Sequence, residues 1–335
     1  MVKMKTIGNK IAEARKKIKI SQAGLAERLF ISPQAVGKWE RGESMPDITT
    51  FERLAGILGV DLNYFSESFE SDLVAPSALN TQDTEVQIAQ RTKPVWDLSR
   101  GNWTDADFSG LKGLHEKLSS SNLQRCLFIG SDLSGLLLKT NNVESCDFSS
   151  SNINGSHIQG SHLDNNLFKD SSLKSAKFSK SYFMGCDFSG SDFDDSDIRT
   201  SYFDGNLFKN SSLKAVKLFK SYLKGCDFSG SDFSQTELRS GGFEHNNLKG
   251  VVWKETSFIG TQLKDLTFDG TIEGCYFENC SFDWVKFENA NLIGTFFKNN
   301  RFKRMKFVDC TTDAVTYGFL KNGGANLDGL TLIDN

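Results

Sequence analysis

The fold of most of the chain follows from residues 166–193, which read NLFKDSSLKSAKFSKSYFMGCDFSGSDF. An apolar residue stands at every fifth position of this stretch, and a small residue stands two positions before most of them. The same spacing holds at all 31 such positions from Leu118 to Phe268, after which one residue is missing and the series resumes at Ile272. A period of five fits neither a helix nor a simple strand, so another regular structure is required.

The size of this structure can be read from longer periods. Because an extended segment places positions i and i−2 on one side, both residues point inward and the chain must turn before the next unit. Phenylalanine occupies 10 of the 12 apolar positions in the column that takes every fourth unit, and residues 166–193 match residues 206–233 at 21 of 28 positions. We therefore predict a solenoid with four five-residue sides per coil.

These units resemble the pentapeptide-repeat family, whose consensus is a small residue, Asp or Asn, Leu or Phe, and two variable residues. Residues 106–110 (ADFSG) and 186–190 (CDFSG) carry the resemblance, which spans about residues 105–332. The resemblance implies a right-handed quadrilateral β-helix. Eleven or twelve coils, each rising ~4.8 Å, would give a rod on the order of 55 Å long.

Both ends of the repeat depart from the period of five. Leu111, Leu114 and Leu118 are spaced as in a helix, so we predict a helix over residues 109–119 that covers the amino end. Asp313 to Asn322, followed by Gly323, predict a second short helix at the far end. Solenoid ends require such caps, because an open coil exposes unpaired backbone groups.

Residues 1–65 have a different character, with 11 basic and 7 acidic side chains and apolar residues at helical spacing. Ser21 is a candidate cap for a second helix, and Ser32-Pro33 is a strong start signal for a third, which Gly42 ends. Asp47 is expected to open a fourth helix. Two helices joined by a tight turn within about 20 residues match the helix-turn-helix plan.

Residues 21–29 (SQAGLAERL) and 32–42 (SPQAVGKWERG) strongly resemble the Cro/repressor-type (XRE) helix-turn-helix family, over about residues 5–65. The resemblance implies that Gln22 holds a backbone phosphate and that the exposed face of the third helix reads base edges. It also implies an ion pair between Arg15 and Glu40. Phe30 stands where the turn of the family usually has glycine, so we expect that turn to be reshaped.

The side chains of the third helix suit base recognition. Gln34 can bond adenine in a bidentate manner and Lys38 can donate to guanine, while Val36 and Trp39 are expected to face inward. The alternative is a helical bundle that only mediates protein contacts. The predicted DNA-binding set, including phosphate contacts, is Gln22, Ser32, Gln34, Ala35, Lys38, Arg41 and Ser44.

Charge separates three regions. Residues 1–65 have a net charge of +4, residues 66–90 hold five acids and no base, and the remainder has a net charge of −2. We predict a helix-turn-helix domain over residues 1–66, an acidic flexible linker over 67–95 and a β-helix with end caps over 96–335. No apolar run approaches ~18 residues, and the first residues lead into a charged segment, so we expect a cytoplasmic protein without a membrane span.

No pattern of residues indicates catalysis. All seven cysteines occupy the small position of the repeat, and CxxC spacing is absent, so we interpret them as packed structural thiols. The four histidines are scattered, and neither a phosphate loop nor a nucleophile elbow is present. We therefore expect neither an enzyme nor a bound metal or cofactor.

Two functions remain open. The first is a transcriptional regulator that binds double-stranded DNA as a homodimer and uses the rod as an interaction or sensing domain. The second is a self-resistance or immunity protein that uses the rod as a DNA-like surface and the helix-turn-helix for autoregulation or recruitment. The family resemblance suggests it, since some pentapeptide-repeat proteins are dimeric rods that resemble DNA and bind type II topoisomerases such as gyrase. A DNA mimic needs a strongly acidic surface. Here acids gather on two sides of the predicted coil and Lys139, Lys177, Lys180, Arg199, Lys217, Lys220 and Arg239 gather around a third.

Overall fold

The computed structural model describes residues 2–29, 31–44, 46, 48–60, 62–65, 98–114 and 117–333. The chain divides into two compact units, Met1–Asp97 and Leu98–Asn335, which are described separately. Several sequence-based predictions fall outside the described residues: the reshaped turn at Phe30, the helix start at Asp47 and the linker over 67–95.

The amino-terminal unit is helical, as predicted. Its elements are α1 (Val2–Lys17), α2 (Gln22–Leu29), α3 (Pro33–Glu40), α4 (Ile48–Leu58) and a 3₁₀ helix (Leu62–Phe65). The predicted caps are confirmed: the Ser21 hydroxyl accepts from the Gly24 amide at 3.0 Å, and the Ser32 hydroxyl accepts from the Ala35 amide at 3.3 Å. Gly42 follows α3 with a φ of +70°, the left-handed conformation that favours glycine after a helix.

The helices enclose one apolar core. Ile11, Leu25, Val36 and Leu54 from the four α-helices are all fully buried in it. Gly8 of α1 lies against the backbone of α3, since a Cβ atom placed there would be 2.3 Å from the Trp39 carbonyl oxygen. Glycine at position 8 therefore allows α1 to approach the backbone of α3 this closely, and a larger side chain there would push the two helices apart.

The carboxy-terminal unit is a parallel β-solenoid of about eleven turns. Its strands form a 15-stranded and a 9-stranded sheet. The strands are β1 (Asn102–Thr104), β2 (Asn122–Gln124), β3 (Leu137–Lys139), β4 (Asn142–Glu144), β5 (His157–Gln159), β6 (His162–Asp164), β7 (Lys177–Ser179), β8 (Tyr182–Met184), β9 (Asp197–Arg199), β10 (Tyr202–Asp204), β11 (Lys217–Phe219), β12 (Tyr222–Lys224), β13 (Glu237–Arg239), β14 (Gly242–Glu244), β15 (Trp253–Lys254), β16 (Ser257–Ile259), β17 (Gln262–Glu273), β18 (Tyr276–Glu278), β19 (Ser281–Ile293), β20 (Phe296–Lys298), β21 (Arg301–Lys303), β22 (Lys306–Val308), β23 (Cys310–Thr312) and β24 (Leu330–Leu332).

The predicted coil of four five-residue sides is confirmed by the strand register. Phe183 pairs with Phe203, and Ile198 pairs with Leu218. We number the four faces by the central residues of one coil: face 1 holds Phe183, face 2 Phe188, face 3 Phe193 and face 4 Ile198. Strands on face 1 belong to the 15-stranded sheet and those on face 4 to the 9-stranded sheet, whereas faces 2 and 3 are joined by single bridges over most of the rod.

The missing residue after Phe268 shortens one coil. Trp253 pairs with Ile272, and Phe268 pairs with Phe287, so the register there is one residue shorter than in the preceding coils. The register then shifts between Phe268 and Gly270, and the full coil length returns where Thr271 pairs with Asn291. The deletion is therefore absorbed at one corner without disturbing the coils on either side.

The interior of the rod is a column of stacked rings. From Phe108 to Phe228 on face 2, successive ring centroids lie 4.6–5.0 Å apart. Side chains in the small position bond the backbone of the preceding coil: the Asn166 amide donates to the Val143 carbonyl at 2.9 Å, and its oxygen accepts from the Cys146 amide at 2.8 Å. Apolar centres and small polar residues thus share one interior.

The cysteines belong to this interior. All seven are buried and free of disulfides. Burial raises the pKa of both Cys186 and Cys226 to about 12, so these thiols stay protonated at neutral pH. The prediction that they pack as small side chains agrees with this placement.

The two ends differ from each other. At the far end the predicted helix is confirmed as α5 (Ala314–Asn322), with Asp313 as its N-cap and Gly323 as its C-cap. The helix predicted over 109–119 is wrong, since no helix occurs among the described residues of this range, 109–114 and 117–119. Pairing with the next coil outweighs the helical spacing of the leucines here. Lys112 forms a β-bridge to Asp132 of the next coil, and Gly110 and Gly113 adopt φ of +70° and +75°, which a helix does not allow.

Loss of one ring from the stack should destabilise the rod strongly. Phe188 is fully buried, and we expect Phe188→Ala to lower the free energy of unfolding of the carboxy-terminal unit by about 3–5 kcal/mol. Phe188→Leu is the control and should cost about 1 kcal/mol, because Leu248 occupies the same column elsewhere while 2% exposed. Denaturant unfolding followed by the β-sheet circular dichroism signal measures both; equal stability of the two variants would contradict the role of the stack.

Candidate DNA-binding surface

The exposed face of α3 carries the side chains predicted to read bases. Gln34 and Lys38 are exposed, Ala35 is half-buried, and Val36 and Trp39 are buried. Residues four apart on a helix lie on the same face, so Gln34 and Lys38 form one polar surface one turn long. The amide and ammonium groups on this surface match the acceptors and donors that base edges present in a major groove.

A buried ion pair holds α3 in place. The Arg15 guanidinium donates to both oxygens of Glu40, at 2.6 and 3.0 Å, and also to the Ile20 carbonyl at 2.7 Å. The two side chains are only 11% and 8% exposed. The ion pair implied by the family resemblance is therefore present, and it links the end of α1 to the last residue of α3.

Gln22, at the first position of α2, is attached to the same pair. Its side-chain amide donates to a Glu40 oxygen at 2.8 Å, although the residue itself is exposed. Glu40 thus orients Gln22 at the helix N-terminus, where backbone amides favour an anion such as a phosphate. The sequence placed Gln22 in the DNA-binding set without indicating this partner.

The side chains of Arg41 and Gln22 both lie close to Gly37. A Cβ atom at Gly37 would be 3.0 Å from an Arg41 guanidinium nitrogen and 3.8 Å from the Gln22 side-chain oxygen. Arg41 is held by Glu43, to which it donates twice, at 2.6 and 3.0 Å. Because both charged groups are more than half exposed, this ion pair contributes little to stability. Arg41 can therefore exchange it for a contact with a phosphate.

The two predicted serines lie at opposite ends of α3. The Ser32 hydroxyl oxygen caps the helix N-terminus, which leaves its proton available for another acceptor. Ser44 lies half-buried beyond the C-terminal end. The structure thus groups Gln22 and Arg41 around Gly37 and places Gln34 and Lys38 on the outer face of α3.

On the rod, four aspartates of faces 2 and 3 form ion pairs with lysines of a neighbouring coil. Asp187 and Asp227 on face 2 pair with Lys169 and Lys209 of the preceding coil, at 3.2 and 3.3 Å. On face 3, Lys174 pairs with Asp192 at 2.7 Å and Lys214 pairs with Asp232 at 3.2 Å. These pairs weaken the negative field of the two faces, whereas imitation of DNA requires a strong one.

No group of three or more His, Cys, Asp or Glu side chains in the described ranges is arranged to hold a metal ion. None of the helices in the same ranges is long and apolar enough to cross a membrane.

The fold and this surface define a helix-turn-helix module in one chain with a pentapeptide solenoid. A family model described as helix-turn-helix matches residues 11–65, and a model of pentapeptide repeats in eight copies matches residues 167–205. A curated relative is 30% identical over 77 residues, which cover 23% of this chain and 71% of the relative. It is the SPbeta prophage-derived uncharacterized HTH-type transcriptional regulator YonR of Bacillus subtilis (strain 168).

The chain belongs to the XRE-type helix-turn-helix family and carries pentapeptide repeats. Both are non-enzymatic kinds of protein. Solved structures similar to the rod include QnrB1, a plasmid-mediated fluoroquinolone resistance protein, at 17% identity and a TM-score of 0.37 over 69% of this chain and 92% of that one. HetL of Nostoc sp. strain PCC 7120, involved in heterocyst differentiation regulation, gives 13% identity and a TM-score of 0.28 over 64% and 91%.

The Arg15–Glu40 pair should make the amino-terminal unit sensitive to acid. Burial raises the pKa of Glu40, but hydrogen bonds from Arg15 and Gln22 and the nearby positive charges outweigh it, so the pKa lies below its ordinary value of 4.5. Since the folded pKa is the lower one, the stabilisation is fully present above pH 4.5 and is lost as the pH falls through the folded pKa.

Glu40→Gln tests this assignment. It should lower the free energy of unfolding at pH 7 by about 3 kcal/mol, because Arg15 stays buried without a counter-charge, and should flatten the acid dependence. Denaturant unfolding followed by helical circular dichroism at several pH values measures both effects. Glu27→Gln, exposed on α2, is the control; an acid profile of Glu40→Gln that matches this control would exclude the proposed role of the pair.

Proposed function

We propose that the protein is a sequence-specific DNA-binding transcriptional regulator whose rod is an interaction or sensing domain. The observation that carries this proposal is the outer face of α3, where Gln34 and Lys38 are exposed while Val36 and Trp39 anchor the opposite face in the core. The family match over residues 11–65 and the similarity to an HTH-type regulator support the same assignment.

In this proposal α3 enters the major groove. Gln34 and Lys38 bond base edges and Ala35 contacts the groove floor. Gln22, Ser32, Arg41 and Ser44 contact phosphates and fix the register of the domain on the duplex. We propose a homodimer on symmetric half-sites, because a single module of this kind rarely binds tightly, and we place the protein in the cytoplasm.

The roles of two glutamines can be separated by their effect on specificity. Gln34→Ala should reduce the free-energy preference for one base at a single operator position by about 1–3 kcal/mol. Gln22→Ala, by contrast, should weaken binding to all sequences about equally. Binding sites are first selected from a random duplex library, and affinities are then measured by salt titration. Asn9→Ala, a neutral amide exposed on α1, is the control and should bind like the parent. A parent protein without any salt-sensitive sequence preference would refute the regulator assignment.

The alternative, a rod that binds type II topoisomerases as a DNA mimic, stays a prediction. The lysine–aspartate pairs on faces 2 and 3 do not favour it, because they neutralise four of the aspartates that a mimic would present. We therefore expect micromolar protein to leave DNA gyrase supercoiling unchanged, both with and without a fluoroquinolone. Inhibition of the enzyme, or protection of it from the drug, would establish the alternative.

A further inference from the structure

Face 4 of the rod concentrates positive charge. Its outward positions between residues 137 and 260 hold seven lysines and arginines but only two acids, Asp197 and Glu237. Each acid is bonded to an arginine of its own strand: Asp197 to Arg199 at 2.8 Å and Glu237 to Arg239 at 2.7 Å. In the strand register Asp197 lies between Lys177 and Lys217, and Glu237 lies beside Lys217. Seven cations against two acids nevertheless leave this face with a net excess of five positive charges. We call this surface the basic face.

The free lysines differ from those on the neighbouring faces. Within the described part of the chain, Lys177, Lys180 and Lys217 are exposed and have no carboxylate within ion-pair distance. Lys220 lies 5.2 Å from the centre of the Phe219 ring. By contrast, the lysines of faces 2 and 3 that repeat two coils apart, namely Lys169, Lys174, Lys209 and Lys214, are each paired with an aspartate. The same repeat thus places these four lysines in ion pairs, whereas Lys177, Lys180 and Lys217 of the basic face form none.

An aromatic ladder borders the basic face along the corner with face 1. His162, Tyr182, Tyr202 and Tyr222 stack with centroids 5.0, 5.7 and 4.9 Å apart. The last ring lies over Gly242, where a Cβ atom would come within 2.6 Å of it. Since each ring covers the face of the next, the ladder leaves no gap for an unpaired base to stack, which argues against a single-stranded ligand.

We propose that the basic face binds the phosphate backbone of double-stranded DNA, independently of sequence. Parallel strands hold its cations in straight rows. Like cations recur every second coil, as at Lys177 and Lys217, so they are ~9.6 Å apart and several of them face one duplex at once. Tyr182 and Tyr202, exposed at its border, carry hydroxyl groups that can donate to phosphate oxygens. For the source of the DNA the inference rests on the proposed function, because DNA held by the helix-turn-helix unit is at high effective concentration for the rod of the same chain.

The test compares two fourfold variants of the full chain that change the net charge equally. The basic-face variant replaces Lys177, Lys180, Lys217 and Lys220 with glutamine, and the matched control replaces Lys169, Lys174, Lys209 and Lys214. Binding to a random-sequence 40-base-pair duplex is titrated with salt. At 100 mM salt the basic-face variant should bind more than roughly tenfold more weakly, with a log–log salt slope smaller by about 3, while the control stays within about twofold of the parent.

The other outcomes are decisive. Equal affinity of the two variants for the duplex would overturn the inference. So would a loss of affinity by the basic-face variant that is seen only when single-stranded DNA replaces the duplex in the same titration. Thermal unfolding confirms that both variants are folded. The ratio of operator to random-sequence affinity separates this inference from the proposed function: a parent with no operator preference but a basic-face effect refutes only the regulator assignment, and a parent with operator preference but no basic-face effect refutes only the inference.

Discussion

The rod depends on one constraint, that each coil must bond to the next coil along the chain while its central residues fill the interior. The Phe188 amide donates to the Leu207 carbonyl at 2.7 Å, and the ring of Phe188 stacks on that of Phe208 at 5.0 Å. Backbone bonding and ring packing thus enforce the same register, and a slip of one residue would break both. The shortened coil after Phe268 obeys the constraint as well, because the register changes only at a corner.

This constraint confines function to the outward positions. Apolar centres and small residues are committed to the interior, including all seven cysteines, so the chain can vary only three positions of each five without loss of packing. The rod therefore differs from a generic solenoid in how charge is distributed among its four faces. Lysines paired on faces 2 and 3 but free on face 4 arise from the choice of Asp, Lys or Tyr at those outward positions.

The sequence was sufficient where a signal is local or strictly periodic. Period five predicted the solenoid and the phenylalanine column, and cap residues predicted α5 from Asp313 and Gly323. It misled at residues 109–119, because Leu111, Leu114 and Leu118 have helical spacing while the deciding interaction is pairing with the next coil. Side-chain partners across long separations were also not visible: Gln22 with Glu40 joins the ends of α2 and α3, and His245 with Asp265 joins adjacent coils at 2.9 Å.

Both units present charged side chains on a rigid support, but they position these side chains in different ways. In the helical unit, the buried Arg15–Glu40 pair fixes α3 and Gln22 together, so a few side chains are held with the accuracy that base recognition requires. In the rod, the sheet register sets the positions of the lysines of the basic face: Lys177 and Lys217 lie two coils apart in one row, on either side of Asp197. The first arrangement suits selection among sequences, and the second suits contact with a feature that every sequence shares, the phosphate backbone.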